Sequence, residues 1–185
     1  MADASDVINS ILVPRGTTPR IIDPLPDEHR RGLIGVGVAS LISTVTTSVL
    51  FLFFTWRLIF WRRYYDTYLG YNQYIILIYN LLLADLQEAL GWLMSLHWVN
   101  KNSISYHTRV CFAQGWLLQI GDPASGLFVL AIAVHTFVTV FWGRKIRHRT
   151  FVACLIGLWI FCLGIVIVPL ALWGSQTFAP TGPWV

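Results

Sequence analysis

Four long apolar runs, parted by short polar stretches, set the rhythm of this chain. They cover roughly residues 33–60, 74–99, 110–142 and 151–173. Each exceeds the ~20 helical residues needed to cross ~30 Å of hydrocarbon. The connections are short: "WRRYYDTYLGYNQ", "NKNSISYHT" and "GRKIRHRT". Lipid offers no partner to a bare backbone amide, so each run is expected to be an α-helix. The pattern predicts an all-α, polytopic transmembrane bundle of four spans. Residues 1–31 are polar and proline-bearing and lack the early apolar core of a signal peptide. They read as a flexible, retained tail, and residues 175–185 as a fragment of a loop on the same side.

Composition agrees with this picture. The 185 residues are 56% hydrophobic and only 12% charged, about half the charge of a soluble domain. The net charge of +4 comes without a basic, aromatic-laced patch, so no nucleic-acid partner is expected. Three cysteines, Cys111, Cys154 and Cys162, form no CxxC pair, which excludes a zinc ribbon or a disulfide scaffold. Charge placement gives the orientation. Arg57, Arg62, Arg63, Arg144, Lys145, Arg147 and Arg149 flank the first and third connections, against Lys101 and Arg109 at the second. Seven against two places the first and third connections in the cytosol and both termini outside. Arg144, Lys145, Arg147 and Arg149 form a cytosolic basic surface. Trp56, Phe60, Trp61, Tyr64, Tyr65 and Trp142 suit an inner aromatic belt, and Trp98, Trp116 and Trp173 an outer one. Trp159 falls mid-span and reads as a helix-packing residue.

The second span contains "NLLLADLQEALGW", with Asp85 and Glu88 near its middle. Two central carboxylates cost roughly 5–7 kcal/mol on insertion, and the span's aliphatic side chains return about 4–7. The carboxylates should therefore turn into the bundle. At ~100° per residue Leu81, Asp85, Glu88 and Trp92 share a face. The third span offers partners. Gln114, Leu118 and Ser125 share a stripe with Cys111 near its end, and Asp122 lies just off it, near Gln119. Pro123 removes one amide from the ladder there. Asp85, Glu88, Asp122 and Ser125 read either as an architectural hydrogen-bond cluster or as a cation, proton or switch site, the default for intramembrane charges. No metal site is expected, since a lone His135 makes none. His135, Cys154 and Cys162 read as packing residues. In the first span, Ala39, Ser43 and Thr47 recur every fourth residue, a spacing that admits a neighbouring helix closely or lines a solute path.

These residues resemble a known family. "LLLADLQEA" is similar to the second-helix motif of rhodopsin-like seven-helix receptors, and Asp85 matches its mid-membrane, sodium-binding aspartate. Ser125 matches a serine that helps hold the same ion, Cys111 a third-helix cysteine, and Trp159 a fourth-helix tryptophan. "CFAQGWLLQIGDPASGLFVLAIAVHTFVTV" resembles more closely the fungal carbon-source and cAMP-receptor-like group of G-protein-coupled receptors. The likeness covers most of the chain, about residues 33–184, as the first half of such a receptor. It implies a plasma-membrane protein sensing an extracellular nutrient or small molecule and acting through a heterotrimeric G protein on cAMP signalling. It also implies a sodium ion as the one bound ion. The ending "AVHTFVTV" lacks an Asp-Arg-Tyr triplet, so no ionic lock is implied. In the resembled receptors a cysteine after Gly-x-Trp bridges to the residue matched by Cys111. Here the sequence closes on "FAPTGPWV", so the expectation is a truncated receptor with that disulfide partner absent.

The competing expectation is a self-contained four-helix scaffold or accessory subunit without receptor activity. A tetraspanin-like scaffold would have inside termini and a cysteine-rich outer loop, and neither fits. An enzyme would need a nucleophile–base set or metal ligands, and none is found.

Overall fold

The computed structural model describes residues 27–63, 72–103, 108–143 and 146–174. Helix α1 spans Asp27–Ile59 and is followed by a 3₁₀ turn, Trp61–Arg63. Helix α2 spans Gln73–Leu93, α3 Ser95–Lys101, α4 Arg109–Val140 and α5 His148–Trp173. Four helical stretches, with α2 and α3 counted together, are long and apolar enough to cross a membrane. The chain is thus an all-α, multi-pass membrane protein.

The helix ends follow local chemistry. The Asn72 side chain accepts from Tyr74 N at 3.1 Å and starts α2. Thr108 does the same for Cys111 N at 3.2 Å and starts α4. A side-chain oxygen here takes an amide that has no partner inside its helix. Asn102, at φ 52°, turns the chain out of α3 in the left-handed region that Asn tolerates better than most residues.

Two boundaries differ from expectation, and a third feature agrees with it. Helix α1 begins at Asp27, so residues 27–31 are helical although the sequence assigns them to the tail. The second span is two helices, with Met94 between them; its apolar run gives no sign of that joint. Helix α4 runs on through Pro123, so the proline removes a donor without ending the helix. Residues 1–26 and 175–185, the rest of the expected tail and the outer-loop fragment, lie outside the described residues.

In the bundle, α4 packs most extensively on α2, α2 also meets α1, and α5 lies against α4. The central core joins Leu77 and Ala84 of α2, Ala124 and Phe128 of α4, and Phe151 and Cys162 of α5. Leu33, Trp98 and Cys111 close the end where α3 lies. Large apolar side chains such as Ile42, Leu52, Ile160 and Leu172 point outward, as hydrocarbon-facing residues must.

Glycines set the closest approaches. A Cβ at Gly121 of α4 would sit 2.7 Å from the backbone nitrogen of Glu88 on α2. A Cβ at Gly91 would lie 2.8 Å from the Leu118 side chain. At Gly37 of α1 it would run into Leu96 of α3. Helices associate in lipid mainly through such close contacts, because apolar burial drives little there.

Candidate functional site

Midway along the spans, polar side chains of α1, α2 and α4 come together. Ala84 and Ala124 are fully buried between α2 and α4, and Gly121 meets α2 one turn further along. This proximity lets Ser125 Oγ donate to Asp85 Oδ1 at 2.6 Å. That length is at the short end of the range for O–H···O hydrogen bonds. Second and third spans thus meet through two of the four expected site residues.

Glu88 lies one turn beyond, with Asp122 of α4, Asp85 of its own helix and Trp92 as its polar neighbours. Asp122 is exposed on the bundle surface, whereas Asp85, Glu88 and Ser125 are half-buried. Among the described residues, no three His, Cys, Asp or Glu side chains converge as a bound metal would require. Leu81, expected on the carboxylate face, packs on the central core instead.

The other side of α2 opens on a groove of about 500 Å³. Asp85, Glu88, Ala89 and Trp92 form one wall. Val36, Ala39, Ser40, Ser43 and Thr47 of α1 form the other. The stripe Ala39, Ser43, Thr47 therefore faces the carboxylates. Helix α1 touches its neighbours on both sides of this groove. At one end Phe51 stacks on Tyr79 with ring centroids 4.8 Å apart, and Thr55 Oγ1 lies 3.2 Å from Tyr79 Oη. At the other, Gly37 meets Leu96.

Two further polar networks flank the site. In the first, Trp98 Nε1 donates to Gln114 Oε1 at 2.7 Å, and Gln114 Nε2 donates to Ser95 Oγ at 3.3 Å. Trp98 is only 1% exposed. It is a core residue and not part of an outer aromatic belt, because α3 turns its ring toward Cys111 and Leu33. Cys111, implied as an outer disulfide residue, is 2% exposed in that cluster. Trp56 and Trp142 are exposed, as a lipid-facing belt requires.

In the second network, Gln73 Nε2 donates to the Ile146 carbonyl at 2.8 Å, leaving Gln73 Oε1 2.7 Å from His135 Nε2. His135 is buried, with Tyr74 and Phe151 edge-on to its ring. A buried imidazole tied to one amide holds α2, α4 and the third connection together. Nearer the centre, Trp159 Nε1 donates to Asn80 Oδ1 at 2.9 Å, joining α5 to α2. Gln73, Asn80 and Ser95 escaped sequence reasoning. For Asn80 and Ser95 the signal was available, since a neutral amide or hydroxyl inside an apolar run must find a partner, whereas Gln73 falls in the first polar connection and gave none. Arg147 and Arg149 are exposed, while Arg144 and Lys145 lie outside the described residues. Cys154 is exposed and Cys162 buried in the core.

No family model, curated protein or solved structure matches this chain.

Proposed function

We propose that this chain is a receptor of the G-protein-coupled kind, its four spans corresponding to the first four of seven helices. In this reading the N-terminus lies outside the plasma membrane. The receptor senses an extracellular nutrient or small molecule and signals through a heterotrimeric G protein to the cAMP pathway. The observation that carries the reading is the 2.6 Å bond from Ser125 to Asp85. It joins two residues that the resemblance independently assigns to one mid-membrane ion site. Trp159, also matched by the resemblance, turns inward to Asn80.

The site suits a small hard cation, which prefers oxygen donors. Ser125 donates its hydroxyl hydrogen to a hydrogen bond with Asp85, so its oxygen lone pairs stay open to such an ion. A sodium ion held there by Asp85 and Ser125 would supply the positive charge that these helices lack at that depth.

The deciding experiment uses the full chain in lipid nanodiscs with a purified heterotrimeric G protein and follows guanine-nucleotide exchange. Sugars and amino acids serve as the candidate agonists. Exchange that rises with one of them and is altered in Asp85→Asn supports the proposal. Exchange that never exceeds that of empty nanodiscs rejects signalling by this chain and leaves the four-helix scaffold reading in its place.

A further inference from the structure

The groove between α1 and α2 is walled by carboxylates on one side and small residues on the other, and the described spans bring it no counter-charge. Helix α1 has no basic residue between Arg31 and Arg57. The second span has none between Gln73 and His97, the third none between Arg109 and His135, and the fourth none after Arg149. Asp85 and Glu88 nonetheless face a space of about 500 Å³. Small-molecule sites span about 300–1,000 Å³, whereas a lone water or ion fills roughly 30 Å³. The space is thus far larger than a bare ion fills, and beyond any ion held between Asp85 and Ser125 it has room for a cation with an organic body.

The walls fit such a body. Trp92 offers an indole, the best aromatic surface for a cation. Ser43 and Thr47 set hydroxyl groups opposite the carboxylates, where they can accept from an ammonium group. Ala39 and Ala89 leave room for an alkyl chain. The groove is open and not enclosed, so a solute can enter it without a helix having to move aside. Ser125 already gives Asp85 one bond, which holds that carboxylate in place before any ligand arrives and lowers the ordering cost of binding.

We propose that this groove binds a small organic amine in its ammonium form. Asp85 and Glu88 hold its charge, and Trp92 and the small residues of α1 hold its body. The proposal does not depend on G-protein signalling, and its test requires none.

The full chain in nanodiscs is titrated calorimetrically with n-hexylammonium, with empty nanodiscs as baseline and 1-hexanol as the neutral match. Saturable binding of the ammonium, with no saturable binding of the alcohol, is expected. Glu88→Gln should weaken binding by at least about tenfold. Ser43→Leu fills the groove from α1 without touching a charge. It should abolish binding while helix content and thermal midpoint hold, which keeps the test decisive if Glu88→Gln misfolds. Equal binding of hexanol, undiminished binding by Ser43→Leu, or full displacement by sodium at equal concentration would each overturn the proposal. So would a Ser43→Cys variant that cross-links quantitatively between two copies in the bilayer, because the groove would then be a helix interface.

Discussion

Helix α2 solves one problem twice, in different ways. Toward α4 it is sealed: Gly121 lets the backbones touch at Glu88, Ala84 and Ala124 leave no exposed surface, and Ser125 bonds Asp85. Toward α1 it gapes, although α1 carries the same kind of small residues. There Phe51–Tyr79 and Gly37–Leu96 make contact to either side of the groove, and the carboxylates between them face open space. The difference teaches that small residues only permit close approach. What closes an interface in lipid is a matching surface with satisfied polar groups. A wall of small residues left uncovered beside buried charge is a place for something else to bind.

The sealed side should be the fragile one. Gly121→Ala puts its Cβ against backbone, which cannot rotate away, so α2 and α4 must separate. Overpacking of this kind costs about 1–3 kcal/mol, and Gly121→Val should exceed that range. Gly91→Ala meets chiefly the Leu118 side chain, which can adjust, so its loss should be smaller. Thermal unfolding in nanodiscs orders the three variants. Equal losses at Gly91 and Gly121 would contradict the backbone contact.

Next in size is the network at the α3 end. Trp98→Phe keeps most of the ring volume but leaves Gln114 Oε1 without its indole donor. A buried acceptor stripped of its partner costs about 1–3 kcal/mol. The double variant Trp98→Phe with Gln114→Leu should recover part of that loss, because the orphaned amide is then gone too. Chemical denaturation of the single and double variants measures the recovery. Full additivity would show that the two side chains do not act as a pair.

The sequence made these two regions legible to different degrees. Four spans could be read because an apolar run has one meaning in lipid. The facing of Asp85 could be read because a mid-span carboxylate must hide, and Ser125 lay on the third-span stripe nearest in depth. Trp98 could not be placed, since a tryptophan near a span's end suits a belt or a core equally well. The joint at Met94 decided it, and that joint is a backbone feature with no periodic signature. Likewise Ala39, Ser43 and Thr47 announce a face that a helix or a solute can approach. Whether another helix covers that face depends on contacts at Phe51 and Gly37, at the two ends of the groove.

The next prediction tests the mid-span polar bond across the sealed interface, from Ser125 to Asp85. Ser125→Ala removes the donor to Asp85 but leaves the neighbouring glycine and alanine contacts alone. Hydrogen bonds between helices in membranes are worth about 0.6 kcal/mol on average and reach about 1.7. Its short length, 2.6 Å, puts this one toward the upper figure. Unfolding measured in sodium and in a large organic cation separates two contributions. The bond itself is lost in both media, whereas any ion held by Asp85 and Ser125 adds a loss seen only in sodium.

The smallest effect belongs to the far side of α4. Gly126 adjoins Ser125 in sequence, yet a Cβ there meets nothing within 4 Å. Gly126→Ala should therefore leave stability within about 0.5 kcal/mol of the parent, as surface substitutions do. The helix gains a better former at that position, so a slight increase is the expected sign. The value of this variant lies in its contrast with Gly121→Ala, five residues earlier on the same helix. If steric contact with α2 governs the response, unfolding experiments will show a clear loss at 121 and none at 126. A comparable loss at both would mean that α4 tolerates no added side chain on either face. The open side of Gly126 would then have to be covered by another helix, and the contrast between a sealed and an exposed face of α4 would fail.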